Sequence, residues 1–340
     1  MTKTFDVAIL GATGEVGKTI LEILAERKFP IGKIYALASS RSAGKTILFK
    51  NRPILIEDAT TFDFKKVQIG LFSAGGNISA EYAPKAAAAG CIVIDNTSHY
   101  RYEADIPLVI AEVNPHALAQ YKNQHIIANP NCSTMQMLVA LKPIYDQVGI
   151  ERINVATYQA VSGSGRKGID ELAQQTANLL NAKSIKPTVY SKQIAFNVIP
   201  HIDTFQENGY TKEEMKMVWE TQKILEDHAI TVNPTAVRVP VFYGHSMALH
   251  IETRDKITLK QAEKILKKAP GVTMINKLEA GGYPTPVSNA SGRDNVFIGR
   301  LREDISHPKG LNMWVVSDNV RKGAALNAVQ LAELMIENYL

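Results

Sequence analysis

The sequence predicts an α/β protein with two domains: a doubly wound, mainly parallel Rossmann-type domain and an α+β domain with a mixed sheet. Its 340 residues are too many for one ordinary hydrophobic core. Across the first half, short apolar segments alternate with helical patterns, which favours a parallel sheet. In the second half, strand-like segments follow one another with few helices between them. That order favours an antiparallel or mixed sheet covered by helices on one face.

Composition narrows the functional class. The chain is 45% hydrophobic and 21% charged, as is usual for a soluble globular protein, and its net charge of +5 is spread out. Such mild positive charge suits anionic small molecules better than nucleic acid. We expect no membrane association, because no apolar run approaches a span and no signal peptide precedes the first strand. Two cysteines, Cys91 and Cys132, make no disulfide framework, which favours the cytoplasm.

The first element is a strand, Phe5–Leu10, followed by the turn Gly11–Gly17 (GATGEVG) and the helix Val16–Arg27. Glycines in a strand–turn–helix setting let the backbone turn tightly and approach a pyrophosphate, which rests on the helix N-terminus. The setting predicts dinucleotide binding.

The second strand, Lys33–Ala38, favours NADP over NAD. An NAD site places an acidic residue after this strand to bind the ribose 2′-OH, but the chain has Ser39, Ser40, Arg41 and Ser42 there. An arginine can make paired charge-assisted bonds to a 2′-phosphate. The alternative is a solvated polar loop.

The rest of the first half contributes further strands and a helix, predicted at Val67–Phe72, Cys91–Asp95, Leu108–Ala111, His125–Ala128 and, as the helix, Ile78–Ala89. Ser73 begins a run of small residues that leaves room for a cofactor. Arg101 ends a polar segment on the expected ligand side, where it can clamp a carboxylate or phosphate. A surface salt bridge is the alternative.

Cys132 is a candidate covalent nucleophile. The segment Asn129–Asn131 breaks the strand before it, Ser133 and Thr134 offer helix caps, and Met135–Tyr145 is a predicted helix. A thiol at a helix N-terminus has a lowered pKa and becomes a nucleophile as its thiolate. The alternative is a small buried apolar residue, as most cysteines outside disulfides are.

The second half is predicted to contain the following segments: strands Arg152–Ala160, Phe297–Arg302 and Leu311–Ser317, an extended segment Ala195–Ile202, two extended runs within Ile230–Glu252, and helices Gly168–Ala182, Thr211–Asp227 and Arg321–Tyr339. Thr211 and Glu214 form a capping-box pattern at the start of their helix.

Several side chains of this half have two interpretations each. Gln159 can orient a substrate carbonyl or be satisfied within a sheet. His245 is the best candidate base for a thiol, although a lone histidine is more often structural. Lys216, Glu220 and Lys223 share one helix face, either as a solvated ion-pair stripe, which the sequence slightly favours, or as one edge of an anion site.

Together these pieces resemble the aspartate-β-semialdehyde dehydrogenase family. The resemblance runs essentially end to end, through GATGEVG, SSRS, NTSHYR, PNCS, QAVSGSG, ETQKI, RVPVFYGHS and SDNVRKGAALNAVQ. Each motif alone is weak, whereas their order and spacing are specific.

The resemblance implies a role for each candidate residue. Cys132 is the nucleophile with Asn131 beside it, Gln159 positions the substrate, and His245 is the acid/base. Arg238 binds the substrate carboxylate, Glu220 the ammonium, and Arg101 with Lys216 or Lys223 the phosphate. The implied NADP contacts come from Gly11, Thr13, Gly14, Glu15, Val16, Ser39, Arg41, Ser42, Ser73, Ser162, Gly163 and Asn319, and no metal is implied.

The family's reaction is the NADPH-dependent conversion of L-aspartyl 4-phosphate to L-aspartate 4-semialdehyde and phosphate through a cysteine thioester. It leads to lysine, methionine, threonine and diaminopimelate. The resemblance also implies a homodimer formed through the sheet of the second domain. We expect the NADP domain to comprise residues 1–132 with 320–340, and the catalytic and dimerisation domain 133–319.

Three alternative functions are weighed against this resemblance. N-acetyl-glutamyl-phosphate reductase acts on a substrate without a free amine, which would leave Glu220 without a purpose. A glyceraldehyde-phosphate type dehydrogenase also pairs Cys with His, but the loop with Arg41 and the pair Glu220 and Arg238 argue against it. A catalytically silent NADP-binding regulatory protein would have no reason to retain Cys132 with its partners.

Overall fold

The structure is a computed structural model that describes residues 3–340. Residues 1–130 with 324–340 form one compact unit, and residues 131–323 form the other. This division falls two to four residues from the predicted domain boundaries. It places Asn131 and Cys132 in the second unit, whereas the sequence had suggested the end of the first.

The strands are β1 (Phe5–Leu10), β2 (Ile31–Ala38), β3 (Thr46–Phe49), β4 (Arg52–Asp58), β5 (Ile69–Phe72), β6 (Ile92–Asp95), β7 (Ile126–Ala128), β8 (Ile150–Gln159), β9 (Thr231–Arg238), β10 (His245–Thr253), β11 (Val272–Met274), β12 (Val296–Glu303) and β13 (Gly310–Ser317). The α-helices are α1 (Glu15–Glu26), α2 (Gly76–Ala88), α3 (Cys132–Val148), α4 (Gly165–Leu180), α5 (Lys212–Leu225), α6 (Leu259–Leu266) and α7 (Asn327–Asn338). None of the helices among residues 3–340 is long and apolar enough to cross a membrane.

The first unit is built on a seven-stranded sheet in the order β3-β4-β2-β1-β5-β6-β7. All neighbouring strands are parallel except the antiparallel pair β3 and β4. Strands β5 and β6 are buried throughout, because helices cover both faces of a doubly wound sheet. The strand order reverses at β1, because β2 to β4 lie on one side of it and β5 to β7 on the other. Ligands bind at such a switch point, beside the carboxyl ends of the strands.

Two details of this unit differ from the prediction. The hairpin of β3 and β4 was not predicted. The predicted strand Leu108–Ala111 is wrong, because this segment makes only one bridge, between Leu108 and Ala128. The amide of Ile110 donates to the side chain of Asn114, and that of Ala111 to Asn327. Donors bound to side chains in this way are not available to a strand ladder.

The second unit is built on a six-stranded mixed sheet in the order β11-β12-β13-β10-β8-β9. The pairs β8–β9 and β11–β12 are parallel and the others antiparallel. Helix α3 packs on β8, β10, β12 and β13, while α5 and α6 pack beside it. Along β8 and β10 the residues facing these helices are buried and the alternate ones are more exposed, so the sheet has one open face.

Three further points of the prediction differ from the structure. The segment Ala195–Ile202 is not a strand. The amides of Ile194 and Ala195 bind the side chain of Gln175 instead, and a single bridge joins Ile199 to Arg238. The helix predicted at Arg321–Tyr339 begins with a π-helical turn, Arg321–Leu326, and only then continues as the α-helix α7. Helix α6 and strand β11 were not predicted.

Candidate active site

Cys132 is the first residue of α3 and is half-buried. The side-chain oxygen of Asn131 caps this helix by accepting from the amides of Ser133 at 2.8 Å and Thr134 at 3.2 Å. The prediction that Ser133 and Thr134 are the caps is therefore wrong, because their amides are the capped groups. Amide groups and dipole of a 17-residue helix favour a thiolate at the position of Cys132.

Glu220 also holds the N-terminus of α3. Its side chain is fully buried, and its Oε2 accepts from the backbone amide of Asn131 at 2.6 Å. A buried carboxylate bound to a helix-terminal amide is stabilised where it stands. The carboxylate therefore orients the residue before Cys132.

Glu213, which the sequence interpretation missed, is the central carboxylate of the site. It accepts from Asn131 Nδ2 at 3.0 Å and from Gln159 Nε2 at 3.0 Å, and its Oε2 pairs with Lys216 Nζ at 3.0 Å. A periodic signal for it existed, because positions 213, 216 and 220 lie on one helix face. The sequence interpretation began that face at Lys216.

Glu213 and Lys216 each stabilise the charged form of the other. Burial alone would raise the pKa of the Glu213 carboxyl, but the Lys216 charge and the hydrogen bonds from Gln159 and Asn131 hold that pKa at about 2. Burial alone would lower the pKa of Lys216, but Glu213 and Asp203 hold it above its ordinary value. Asp203 Oδ2 lies 2.7 Å from Lys216 Nζ. Both groups are thus ionised at neutral pH.

Ionised Glu213 also determines the orientation of the Gln159 amide. Nε2 of Gln159 donates to Glu213 and to the hydroxyl of Ser133, so the amide oxygen points elsewhere. This Oε1 is buried and has no hydrogen-bond partner in the described part of the chain. A buried acceptor without a partner is costly unless a ligand supplies a donor.

The ends of three strands bring the other predicted residues of this unit together. Gln159 ends β8 and pairs in register with Arg238, which ends the parallel strand β9. His245 begins β10, the antiparallel neighbour of β8 on its other side. Nε2 of Gln136, one turn after Cys132 on α3, lies 3.5 Å from the carbonyl of His245. The predicted nucleophile and the predicted base are therefore on elements in direct contact.

His245 is neutral and its tautomer is defined. Burial, and secondarily the charge of Arg238, lowers the pKa of His245 to about 3. Nδ1 accepts from the backbone amide of Ala160 at 3.1 Å, so the neutral ring carries its proton on Nε2. In this state Nε2 of His245 is available as a hydrogen-bond donor.

Arg238 is the predicted carboxylate-binding residue. It is buried, and its Nη1 donates to the carbonyl of Ala160 at 2.7 Å. Its Nε is buried and has no hydrogen-bond partner among residues 3–340. Nε and Nη2 form the parallel pair of N–H groups that an arginine offers to a carboxylate.

Ser162, Gly163 and Asn319 lie around His245. The side chain of Asn319 bonds the hydroxyl of Ser162 and accepts from the amide of Gly244 at 2.9 Å. A Cβ on Gly163 would lie 2.9 Å from Nη1 of Arg238 and 3.5 Å from Nε2 of His245. Only glycine leaves this space beside the two side chains.

Gly323 is a second residue that the sequence interpretation missed. A Cβ there would lie 2.7 Å from Cβ of Cys132, so a side chain at this position would displace Cys132. The SDNVRKG segment that ends in this glycine was noted only for its resemblance. The sequence of this segment does not reveal that Gly323 packs against Cys132.

In the first unit, the glycine turn has the form that a pyrophosphate needs. Gly11 has a φ of +91°, and a Cβ on Gly17 would lie 2.3 Å from the carbonyl oxygen of Gly11. Gly14 precedes α1, and no side chain caps that helix. Its first amides, near exposed Thr13 and half-buried Glu15 and Val16, thus point to an anion site that fits the dinucleotide.

The residues predicted to select NADP follow β2 in the same unit. Ser39 and Arg41 are exposed and Ser42 is half-buried, in a turn that the amide of Ser42 closes on the carbonyl of Ser39 at 2.8 Å. Arg41 has no ion-pair partner among the described residues. Ser73 follows β5, beside Gly11, and its amide binds the carbonyl of Leu10.

The phosphate-binding candidates occupy different surroundings. Arg101 is buried in the first unit, where its Nη2 donates to the carbonyl of Asn96 at 2.9 Å. Lys216 is buried in the second unit, in the Glu213 cluster. Lys223 is half-buried in the last turn of α5. Nζ of Lys216 donates to Asp203 and to Glu213 of the candidate site.

Comparisons with known proteins give one consistent answer. Residues 6–121 match the family described as semialdehyde dehydrogenase, NAD binding domain, and residues 141–322 match semialdehyde dehydrogenase, dimerisation domain. The chain is 61% identical over 339 residues to aspartate-semialdehyde dehydrogenase of Shewanella sp., with 100% of both chains covered.

Solved structures agree. The crystal structure of aspartate semialdehyde dehydrogenase II from Vibrio cholerae, complexed with ASA, matches with a TM-score of 0.98 and 59% identity over 100% of both chains. The enzyme of Candida albicans, solved with NADP, matches with a TM-score of 0.78 over 98% of this chain and 99% of its own. At 24% identity, that second likeness shows the fold alone.

Proposed function

The chain belongs to the aspartate-semialdehyde dehydrogenase family, and from this premise we propose how its residues carry out the family's reaction. The protein is an NADP-dependent oxidoreductase of amino-acid biosynthesis. It converts L-aspartyl 4-phosphate to L-aspartate 4-semialdehyde and phosphate, a step of the aspartate pathway towards lysine, methionine, threonine and diaminopimelate. When bound, NADPH supplies the hydride.

We propose that the Cys132 thiolate attacks the acyl carbon of the aspartyl phosphate. The C–S bond forms, the carbonyl oxygen becomes an oxyanion, and the bond to the phosphate oxygen then breaks to leave a thioester. The single observation that supports this role most strongly is the position of Cys132 at the amide-rich N-terminus of α3. Asn131 and Glu220 hold that N-terminus in place.

For His245 we propose a hydrogen bond from Nε2 to the oxygen of the tetrahedral species on Cys132. The buried imidazole is neutral before substrate binds. A neutral ring with Nδ1 bound to the Ala160 amide donates at Nε2 and does not accept there. Its action as a proton relay then depends on the negative charges of the bound substrate, which raise its pKa.

For the substrate we propose three contacts. The Nε and Nη2 edge of Arg238 receives the carboxylate. The ammonium lies against Glu213, which we prefer to Glu220 because Glu213 is bonded directly to Gln159, and against the buried amide oxygen of Gln159 that has no partner among the described residues. Arg101 takes the phosphate together with Lys216 or Lys223.

For the cofactor we propose that Gly11, Gly14 and the first turn of α1 hold the pyrophosphate. The exposed guanidinium of Arg41, with Ser39 and Ser42, holds the 2′-phosphate. Ser73, Ser162, Gly163 and Asn319 complete the proposed NADP contacts. We also propose that the protein is cytoplasmic, where a reducing environment keeps the Cys132 thiol available.

A spectrophotometric assay tests the reaction and the role of Cys132 together. The protein is mixed with aspartate semialdehyde, NADP and phosphate, and a parallel cuvette lacks phosphate. We expect phosphate-dependent NADPH formation, and a loss of at least about 10³-fold in Cys132→Ser, because a serine hydroxyl is a far weaker nucleophile. Cofactor binding by that variant should persist.

Two outcomes would contradict the proposal. A Cys132→Ser variant with near-normal turnover would exclude the thioester. Activity with N-acetyl-glutamate semialdehyde, and none with aspartate semialdehyde, would assign the site to the related acyl-phosphate reductase.

A further inference from the structure

Between α4 and α5 lies a long segment, residues 181–211, without helix or strand. Segments of this length in compact domains usually serve function. Two side chains of α4 hold it. Oε2 of Glu171 accepts from the amide of Thr188 at 3.0 Å, its hydroxyl at 2.6 Å and the amide of Val189 at 2.5 Å. Gln175, bonded to Glu171 at 3.0 Å, binds the amides of residues 194 and 195.

These polar contacts fix the first half of the segment together with apolar packing, because Ile194 and Ala195 are buried in one cluster with Val161. A cavity of about 440 Å³, lined by α4 and residues 184–189, lies beneath it. Burial alone would raise the pKa of Glu171, but the hydrogen bonds from Thr188 and Val189 outweigh burial and lower it. Glu171 is therefore a charged anchor for the backbone that leads directly to Tyr190.

Tyr190 is fixed on several sides. Its hydroxyl donates to the carbonyl of Val161 at 3.5 Å. The same hydroxyl lies 2.6 Å from where a Cβ on Gly168 would stand, so the buried glycine makes room for it. The face of the ring lies against Arg238, with the guanidinium carbon 5.9 Å from the ring centroid. This distance is at the outer limit of the cation–π range.

The guanidinium of Arg238 is thus confined from three directions. The carbonyl of Ala160 holds Nη1, the backbone of Gly163 leaves no space for a side chain beside it, and the Tyr190 ring lies over the carbon. The remaining edge contains the buried Nε that has no partner among the described residues. Confinement of this kind orients a hydrogen-bonding fork before its ligand arrives and lowers the entropy cost of binding.

We propose that Tyr190 is a positioning residue for substrate recognition. Its ring holds Arg238 in the orientation that receives the substrate carboxylate, and the Glu171 anchor holds the ring. This inference rests on the proposed role of Arg238. A purely structural role is the alternative, because Tyr190 also packs against the small core of Val161, Ile169 and Leu172.

The test compares Tyr190→Leu with Tyr190→Phe in the full-length enzyme. Aspartate semialdehyde is varied at saturating NADP and phosphate. We expect Tyr190→Leu to raise its KM about 5- to 20-fold, because the guanidinium loses the ring that confines it, and to change kcat less than about threefold. Tyr190→Phe keeps the ring face and should restore KM to within about twofold. The KM values of NADP and phosphate should not change.

A truncated substrate separates positioning from structure. 3-Aminopropanal is aspartate semialdehyde without its carboxylate, so it makes no demand on Arg238. We expect Tyr190→Leu to leave kcat/KM for 3-aminopropanal unchanged, and so to reduce the preference for the full substrate by the rise in KM. Equal losses on both substrates would show a structural role and overturn the inference.

Arg238→Leu distinguishes failure of this inference from failure of the underlying proposal. If Arg238→Leu keeps the preference for aspartate semialdehyde, the carboxylate role itself is wrong. If Arg238→Leu abolishes the preference and Tyr190→Leu does not alter it, only the positioning role is wrong.

Thr188→Val replaces Tyr190→Leu in this test if the latter variant does not fold. It removes one bond of the Glu171 anchor without enlarging the core. It should raise the same KM about two- to threefold, and an unchanged KM would contradict the inference.

Discussion

At the scale of single residues, Glu213 and Glu220 lie on one helix face but have different roles. Both are buried acids on α5, seven residues apart and each bonded to Asn131, but they bind it differently. Glu220 accepts from the backbone of Asn131, whereas Glu213 accepts from its side chain and also from Gln159 and Lys216. We infer that one supports the helix and the other faces the substrate.

Exchanging each acid for its amide separates these roles. We expect Glu213→Gln to raise KM for aspartate semialdehyde at least about tenfold, because a charge-assisted bond to the ammonium is lost. Glu220→Gln should lower the melting temperature by several degrees and raise KM less, because it weakens the bond to the Asn131 amide. Steady-state kinetics and thermal melts check both variants. The reverse pattern would return the ammonium to Glu220.

Arg41 permits a second test at this scale. Its exposed guanidinium has no ion-pair partner among the described residues, so its removal should leave the fold intact. We expect Arg41→Ala to weaken NADP binding about tenfold or more and NAD binding less than about twofold, because only NADP offers a 2′-phosphate. Titration of both cofactors by fluorescence or calorimetry measures this difference. An equal loss for both would remove the assignment.

At the scale of elements, the N-terminus of α3 combines a structural cap with the proposed nucleophile. Asn131 caps the helix through two amides, and the next residue is Cys132. The sequence predicted the helix and the location of the nucleophile at its start. It assigned the cap to the wrong residues, because asparagine after a proline reads equally well as part of a turn.

Removing this cap should affect both stability and activity. We expect Asn131→Ala to cost about 1 kcal/mol of stability and to lower kcat/KM at least about tenfold, because the capping oxygen and the bond to Glu213 are both lost. Thr258→Ala is the matched control, since Thr258 caps α6 with the same kind of bond. It should lose similar stability but keep turnover. Equal effects on turnover would mean that the Asn131 cap has no catalytic role.

At the scale of the whole molecule, the buried groups of the second unit link protonation to stability. The pKa of His245 falls from its ordinary value of 6.5 to about 3 in the folded protein. The unfolded chain therefore binds more protons between these values. The contribution of neutral His245 to the free energy of unfolding is fully present above pH 6.5 and is lost as the pH falls towards 3.

This linkage predicts a pH-dependent effect of His245→Gln. Between pH 6 and 5 the free energy of unfolding of the unaltered protein should fall by about 1.4 kcal/mol per pH unit more steeply than that of the variant. Urea unfolding at several pH values measures both slopes. Replacing His228, which is exposed, by glutamine is the control and should leave the slope unchanged. Parallel slopes for His245→Gln would contradict the prediction.

The open face of the six-stranded sheet belongs to the same scale. Ala248 on β10 is exposed there and pairs in register with Ala156 of β8 and Trp314 of β13. The family description of this region as a dimerisation domain supports our proposal of a homodimer through this sheet. Small and aromatic side chains on one open face suit such an interface.

A charge at the centre of this face tests the proposal. We expect the unaltered protein to sediment as a dimer and Ala248→Arg to dissociate to monomers at micromolar concentration, because an unpaired buried charge opposes association. Leu278→Arg, at an almost fully exposed position, is the control and should remain dimeric. A dimer that persists in Ala248→Arg would place the interface elsewhere.

The amino-acid sequence by itself determined the family, the order of most strands and helices, the glycine turn and the candidate nucleophile. These features depend on periodicity, turn chemistry and local motifs, which lie in contiguous residues. Confirmed examples are β1, the mixed second sheet, and the capping box of Thr211 and Glu214.

Only the tertiary structure decided which side chains meet. Glu213 bonds Asn131 and Gln159 from 82 and 54 residues away, and Gly323 lies against Cys132 from the far end of the second unit. The segment Ala195–Ile202 has a strand-like composition, but the Gln175 side chain binds its first amides. Contacts between distant segments depend on packing and on where buried polar groups find partners, and no local pattern in the sequence records them.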